Sequence, residues 1–215
     1  MNKIIAIDGP AGSGKGTITK LIAQKLNYVY IDSGATYRCV ALAVLRNKLN
    51  IEDKEKIIAL TKTLDINFDL DGKTYLNKED VSTLIRSTEV SNIVSQVSSI
   101  VEVREILVDL QRKMANDKNV IMEGRDITTV VFPNADYKFY LDASVDERAK
   151  RRFLQNKEMG INVPIEEIRD AIIKRDYNDM HKPVGSLIRT DEQIYIDSTN
   201  LTINEVVEEI IKYIK

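Results

Sequence analysis

Five short apolar runs punctuate the chain: Lys3–Ile7, Tyr28–Ile31, Asn119–Met122, Tyr137–Leu141 and Ile194–Ile196. Such runs are the pattern of strands buried on both faces of a parallel sheet. Between most of them the apolar spacing becomes helical, and Thr17–Leu26 sets Ile18, Leu21, Ile22 and Leu26 on one face. Ser144-Val-Asp-Glu147 and Thr202-Ile-Asn-Glu205 have capping-box spacing, so each opens a helix, the second running through Ile214. The alternation predicts an α/β fold: a five-stranded parallel sheet between two helical layers.

One segment breaks the alternation. Leu64–Asn77 reads as two strands around Asp71-Gly72, a strong hairpin turn signal. Helical segments follow at Val81–Arg86, Glu89–Ser98 and Val103–Ala115. A hairpin and helices inserted between parallel strands predict a side lobe; the alternative is an edge hairpin on the main sheet. The polar stretch Asn156–Pro164, with Gly160 between two charged helices, reads as a mobile loop.

The 215 residues suffice for one sizeable core with a small appended lobe, and a net charge of −2 gives no reason to expect nucleic-acid affinity. The nine tyrosines are scattered and form no stacking platform. Cys39 is the one cysteine, so no intramolecular disulfide is possible, and its apolar helical setting predicts a packing role. With His181 the one histidine, expected at an exposed loop or helix end, a dedicated zinc site is not expected. The start enters a strand-like run without leader features, and no stretch approaches the roughly 18 apolar residues of a membrane helix. The expectation is a cytoplasmic protein with no membrane or nucleic-acid partner. With no large apolar surface stripe, a monomer is expected.

Asp8-Gly-Pro-Ala-Gly-Ser-Gly-Lys-Gly-Thr17 lies between an apolar run and an amphipathic helix, the setting of a phosphate-binding loop. Gly9, Pro10, Ala11, Gly12, Ser13, Gly14, Lys15, Gly16 and Thr17 are the candidate ATP-binding residues. Backbone N–H groups and the helix N-terminus favour phosphate, and Lys15 reaches the β- and γ-phosphates. The hydroxyl residue expected after the lysine is Gly16, which cannot contact magnesium. Magnesium then falls mainly to phosphates and water, with Thr17, Asp32 or Glu123 as nearby candidates. The Gly-Lys-Gly-Thr form resembles nucleoside monophosphate kinases, which implies a small-molecule acceptor.

Two further motifs leave the ends of predicted strands: Asp32-Ser-Gly-Ala-Thr-Tyr-Arg38 and Glu123-Gly-Arg-Asp-Ile-Thr-Thr129. Ligands of open α/β sheets bind at those carboxyl ends. Arg38 and Arg125 suit a phosphate acceptor because guanidinium donates in bidentate fashion; the plainer alternative is pairing with surface carboxylates.

With these motifs, and with Ser95-Gln-Val, Val103-Arg-Glu, Val130-Val-Phe-Pro, Leu141-Asp-Ala-Ser and Arg175-Asp, the sequence resembles the bacterial cytidylate kinases nearly end to end. The resemblance implies phosphorylation of CMP and dCMP by ATP with Mg2+. It also implies a P-loop core, an enlarged monophosphate-binding insertion near residues 62–102 and a short lid near 152–168. Carried over by position, it sets Ser95, Arg104 and Asp126 near the cytosine and Ser33 near the acceptor. Arg38, Arg125 and Arg175 would hold phosphates, and Asp179 the ribose hydroxyls. Two positions depart: Lys182 stands where the family commonly has arginine, keeping charge but losing the guanidinium fork, and Thr128 stands where it usually has glycine.

An attacking phosphate monoester is largely a dianion at neutral pH, its second pKa being about 6, so no strong base is required. Lys15, Arg38, Arg125, Arg175 and magnesium form the expected clamp. The cluster Arg148-Ala-Lys-Arg-Arg152 beside the lid offers further arginines, Arg151 among them, or is a solvated helix face. The rival readings are a P-loop kinase for UMP, AMP or shikimate, and a non-catalytic nucleotide switch.

Overall fold

In the computed structural model, which describes residues 2–69, 72–158 and 160–215, every one of the apolar runs becomes a strand. In chain order the strands are β1 (Ile4–Asp8), β2 (Val29–Asp32), β3 (Ile66–Phe68), β4 (Thr74–Leu76), β5 (Glu79–Asp80), β6 (Val120–Gly124), β7 (Tyr137–Asp142) and β8 (Ile194–Asp197). The helices are α1 (Lys15–Leu26), α2 (Ser33–Arg46), α3 (Lys54–Thr61), α4 (Thr88–Val97), α5 (Val101–Met114), α6 (Val145–Glu158), α7 (Ile165–Met180) and α8 (Ile203–Ile211).

The main sheet is parallel, in the order β2-β6-β1-β7-β8. Successive side chains point to opposite faces. Ile5, Ile7, Ile121, Phe139 and Leu141 pack with α1 and α8 on one side. Ala6, Val120 and Met122 pack with Val108 of α5 and Ile127 on the other. This is the predicted three-layer arrangement. The register sets Asp8 opposite Gly124 and Asp32 opposite Glu123, so acidic residues collect where the strands end.

The inserted strands form a sheet of their own, β3-β4-β5, rather than an edge of the main one. β3 and β4 pair antiparallel as expected; Asp71 of the anticipated turn lies outside the described residues, and Gly72 has φ 77°. The third strand carries no glycine signal. It is reached through Asn77 and Lys78, both with positive φ (50° and 71°), the requirement of a tight hairpin turn, and Asn77 Oδ1 accepts from the Asp65 N–H. Ile66, Leu76, Val81, Val90 and Val97 bury against α2, where Cys39 is fully enclosed.

Three boundaries differ from the sequence reading. Of the helix expected over Val81–Arg86 only a 3₁₀ turn at Leu84–Arg86 forms, because the Val81 N–H bonds to Thr74 O and continues the small sheet. The segment from Asn156 is helical to Glu158, and Gly160 (φ 72°) then lets the Ile161 N–H return to Asn156 O, closing α6. The terminal helix stops at Ile211 rather than Ile214, its end drawn down where the Lys215 N–H donates to Tyr137 Oη.

Capping follows the predicted spacing. Thr202 and Glu205 bond reciprocally at the start of α8. At α6 the Glu147 N–H donates to Ser144 Oγ, while the Glu147 carboxylate turns to Arg151.

A buried carboxylate ties the layers together at the head of the sheet. Asp8 is fully buried and accepts from the Ile127 N–H (2.9 Å), the Thr128 N–H (2.8 Å) and Thr128 Oγ1 (2.6 Å). Burial pushes its carboxyl up, and these donors pull it back toward ionisation. Gln193 Nε2 donates in turn to Thr128 Oγ1 at 2.5 Å. Thr128 is not among the positive-φ residues, so its place needs no glycine, and the hydroxyl has a definite use. Thr128→Val should destabilise the fold by about 1–3 kcal/mol, since it strips one donor from a buried acceptor. Urea unfolding measures this, and a loss under about 0.5 kcal/mol would mean that the backbone donors suffice.

Candidate active site

The loop between β1 and α1 wraps the head of the sheet. Gly9 has to be glycine because a Cβ there would lie 2.0 Å from Leu141 O. Gly14 caps α1 with no side-chain hydrogen bond, so the first N–H groups of the helix are left to a ligand. From outside, α6 and α7 brace this loop. Arg148 Nη1 donates to Ala11 O (2.9 Å) and Asp176 Oδ2 (2.5 Å), and the Ala11 N–H donates to Asp176 Oδ1 (3.2 Å). Arg148 is buried, so this member of the basic cluster is part of the loop's support and not of a solvated face.

Lys15 is buried and folded back on its own loop, with Nζ donating to Pro10 O (2.7 Å) and Ser13 Oγ (3.2 Å). Burial and the neighbouring Arg125 lower its ammonium to about 7, against the opposing pull of Glu123 and Asp8.

A cavity of about 750 Å³ opens from this loop toward the inserted lobe. It is lined by Ser33 and Arg38 from the start of α2, Ser95 from α4, Arg104 from α5, Arg125 and Asp126 after β6, and Arg175, Asp179 and Lys182 from the end of α7. Every residue predicted for the acceptor side therefore faces one space.

Carboxylates hold its cations in place. Asp179 accepts from Arg125 Nε (2.8 Å) and pairs with Lys182 Nζ (2.9 Å), with Arg175 Nε at 3.9 Å. Burial opposes its ionisation, but Arg125 and Lys182 prevail and hold the carboxyl at about 2. Arg104 forms a short, buried ion pair with Asp126 and lies over the Tyr37 ring. Here burial wins over Arg104, and Asp126 is raised to about 6. Asp32 caps α2 by accepting from the Ala35 N–H, and its other oxygen faces Arg38 (3.8 Å) and Arg86 (3.6 Å). Ser33 Oγ donates to Glu123 O, and Ser95 lies exposed on the cavity wall.

A second cavity, of about 1100 Å³, runs from the same loop between α6 and the start of α8. Arg151 belongs to this one: its guanidinium donates to Ser198 O (2.6 Å) and Ser198 Oγ (3.2 Å), and it does not line the acceptor cavity. Thr17 lines both spaces from the exposed first turn of α1. His181 lies outside both, stacked on Tyr177 and exposed.

Sequence reasoning missed Arg86, which lines both cavities, and the Arg148–Asp176 brace. Arg86 comes from the inserted lobe, whose approach to the loop has no signature in local sequence. Tyr30, inside a strand, was also missed; its hydroxyl donates to Glu123 Oε1 at 2.6 Å.

The described residues contain no group of three His, Cys, Asp or Glu side chains able to enclose a metal ion. They contain no helix long and apolar enough to cross a membrane.

Comparison with known proteins points to one family. The family model for cytidylate kinase matches residues 5–215. A cytidylate kinase of Fusobacterium nucleatum is 49% identical over 215 residues, 100% of this chain and 98% of its own. One from Clostridioides difficile is 44% identical, covering 99% of this chain and 98% of its own. Among solved structures, an uncharacterized protein from Eubacterium ventriosum superposes with TM-score 0.54 at 14% identity, covering 100% of this chain and 98% of its own. TT1252 from Thermus thermophilus gives 0.50 at 19%, covering 98% and 95%. At such identities these structures bear on the fold alone.

The state of Lys15 yields a prediction. At pH 8 an ammonium lowered to about 7 is mostly neutral, and a bound polyphosphate restores it toward its ordinary value near 10.4. Nucleotide binding at pH 8 should therefore take up most of one proton, and little at pH 6, where Lys15 is already charged. Calorimetry in two buffers of different ionisation heat reads the uptake. Lys15→Met should abolish it, and a buffer-independent heat at pH 8 would show that free Lys15 is charged.

Proposed function

The chain belongs to the cytidylate kinase family, and from that premise we propose how its own residues divide the work. The reaction is ATP-dependent phosphorylation of CMP and dCMP to CDP and dCDP. The observation that carries the assignment is the shared cavity: residues from five separate segments meet in one space that opens on the phosphate loop.

Residues Gly9–Thr17 wrap the ATP phosphates, with Lys15 at the β- and γ-groups, and the second cavity receives the rest of the donor, flanked by Arg151. The inserted lobe near 62–102 carries the acceptor side, and the segment near 152–168 acts as the lid. Arg38, Arg125 and Arg175 grip phosphates, joined by Lys182. Ser33 lies at the acceptor, and Asp179 accepts from the ribose hydroxyls. Ser95, Arg104 and Asp126 read the base. Cytosine presents an amine donor to the Asp126 carboxylate, where uracil presents a carbonyl oxygen that a carboxylate repels.

The acceptor needs no base, because a phosphate monoester is largely a dianion at neutral pH, with a second pKa of about 6. One of its oxygens attacks the γ-phosphorus. The bond from that phosphorus to the β,γ-bridging oxygen breaks, and its electron pair leaves with ADP. No proton has to move. The residues act by alignment and by neutralising charge on the three transferring oxygens, and lid closure excludes water.

The residues also fit a magnesium ion, which keeps waters and phosphates as ligands and takes only one or two carboxylates. Asp32 and Glu123, opposite one another in register, would hold it, with Thr17 nearby. When bound, it neutralises charge on the β- and γ-phosphates. The same reading makes the protein a cytoplasmic monomer acting on nucleotides, with no nucleic-acid or membrane partner, in keeping with its net charge of −2.

Coupled ADP release measured with CMP, dCMP, UMP, AMP, GMP and shikimate tests the acceptor. Turnover should be confined to CMP and dCMP, and ATP binding without acceptor-dependent ADP release would indicate a switch. Arg125→Ala should lower kcat about 10²–10³-fold with the fold intact. Asp126→Ala should erode discrimination between CMP and UMP more than ATP binding; equal losses with both acceptors would remove its base-reading role.

A further inference from the structure

The place of the hydroxyl that Gly16 lacks is filled from another strand. A Cβ built on Gly16 would lie 3.0 Å from Glu123 Oε1 and 3.7 Å from Tyr30 Oη. The Glu123 carboxylate thus leans from the end of β6 into the volume a serine or threonine side chain would take at the start of α1. Tyr30 holds it there, its hydroxyl donating to that same Oε1 at 2.6 Å.

The sheet accounts for this meeting. Tyr30 lies two residues before Asp32, on the same face of β2, and Asp32 is the register partner of Glu123. Among the described residues Tyr30 is the one hydrogen-bond donor to this carboxylate, and no ion pair consumes it. Glu123 lines the cavity beside Lys15 and Gly16. A carboxylate fixed through one oxygen, with the other left to the cleft, is arranged to serve a ligand.

We propose that Tyr30 is a positioning residue whose phenol fixes Glu123 in the place Gly16 leaves open. Glu123 thereby offers the nucleotide-bound cation the protein oxygen that a serine or threonine after Lys15 would otherwise offer. The glycine and the tyrosine are two halves of one device: the first makes room and the second aims the replacement. This rests on the reading of residues 9–17 as the ATP phosphate site.

The test separates nucleotide binding from cation binding. ADP affinity is measured by calorimetry in EDTA. Mn2+ is then titrated into each protein–ADP complex, with protein in excess, and free Mn2+ is read by electron paramagnetic resonance. Tyr30→Phe keeps the packed ring, so ADP affinity without metal should stay within about twofold, while Mn2+ binding weakens about tenfold. Glu123→Gln should weaken Mn2+ at least as much, and the double variant no more than Glu123→Gln alone, because both act through one oxygen pair. Wild-type Mn2+ affinity in Tyr30→Phe, or additive losses in the double variant, would overturn the proposal. Wild-type protein that binds no ADP in EDTA would instead overturn the phosphate-site reading beneath it.

Discussion

Repulsion among like charges is the constraint around which this molecule is arranged. The cleft at the head of the sheet collects Lys15, Arg38, Arg104, Arg125, Arg175 and Lys182 within one cavity. Left alone, such cations would drive one another into solvent. Asp32, Asp126 and Asp179 hold them in place, each facing two or more cations or pairing inside the core. The balance is local. Arg125 and Lys182 prevail over burial at Asp179, whereas at Asp126 burial prevails over Arg104 and Lys182. Among the described residues Lys15 has no direct ion pair, and burial, with Arg125 beside it, lowers its ammonium.

The parallel sheet makes this balance possible. Its register brings Asp8, Asp32 and Glu123 to one edge, where three carboxylates sit close without sharing a task. Asp8 is turned inward and spent on Ile127 and Thr128, joining the phosphate loop to the acceptor loop. Asp32 caps α2 and faces two arginines. Glu123 lines the cleft with no ion pair among the described residues.

The small cluster of Ala149, Ile168 and Ile172 sets α6 and α7 apart from the main core. The pair is anchored to the phosphate loop through the buried Arg148–Asp176 contact rather than through broad apolar burial. A polar anchor of that kind fixes where the two helices meet the loop between β1 and α1.

Much of this was legible in the sequence. Strands buried on both faces, the helix starts at Ser144 and Thr202, and the glycine-rich turn between β1 and α1 are local patterns, fixed by spacing over a few residues, and all appear where expected, although only the Thr202 start closes as a full capping box. Arg38 and Arg125 were legible as motifs at strand ends, and Ser95, Arg104, Asp126 and Asp179 only through the family resemblance; that these residues share one wall depends on packing between distant segments. Local sequence was silent where a hydrogen bond across the fold decided the outcome. Val81 joined a sheet instead of a helix, Arg148 turned inward to Ala11, and Thr128 took up Asp8 in place of a glycine's freedom. Gly16 shows the division most plainly. The sequence by itself determined that no hydroxyl follows Lys15. Only the tertiary structure, by setting β2 and β6 in register beneath α1, decided that Tyr30 and Glu123 would occupy the space it left.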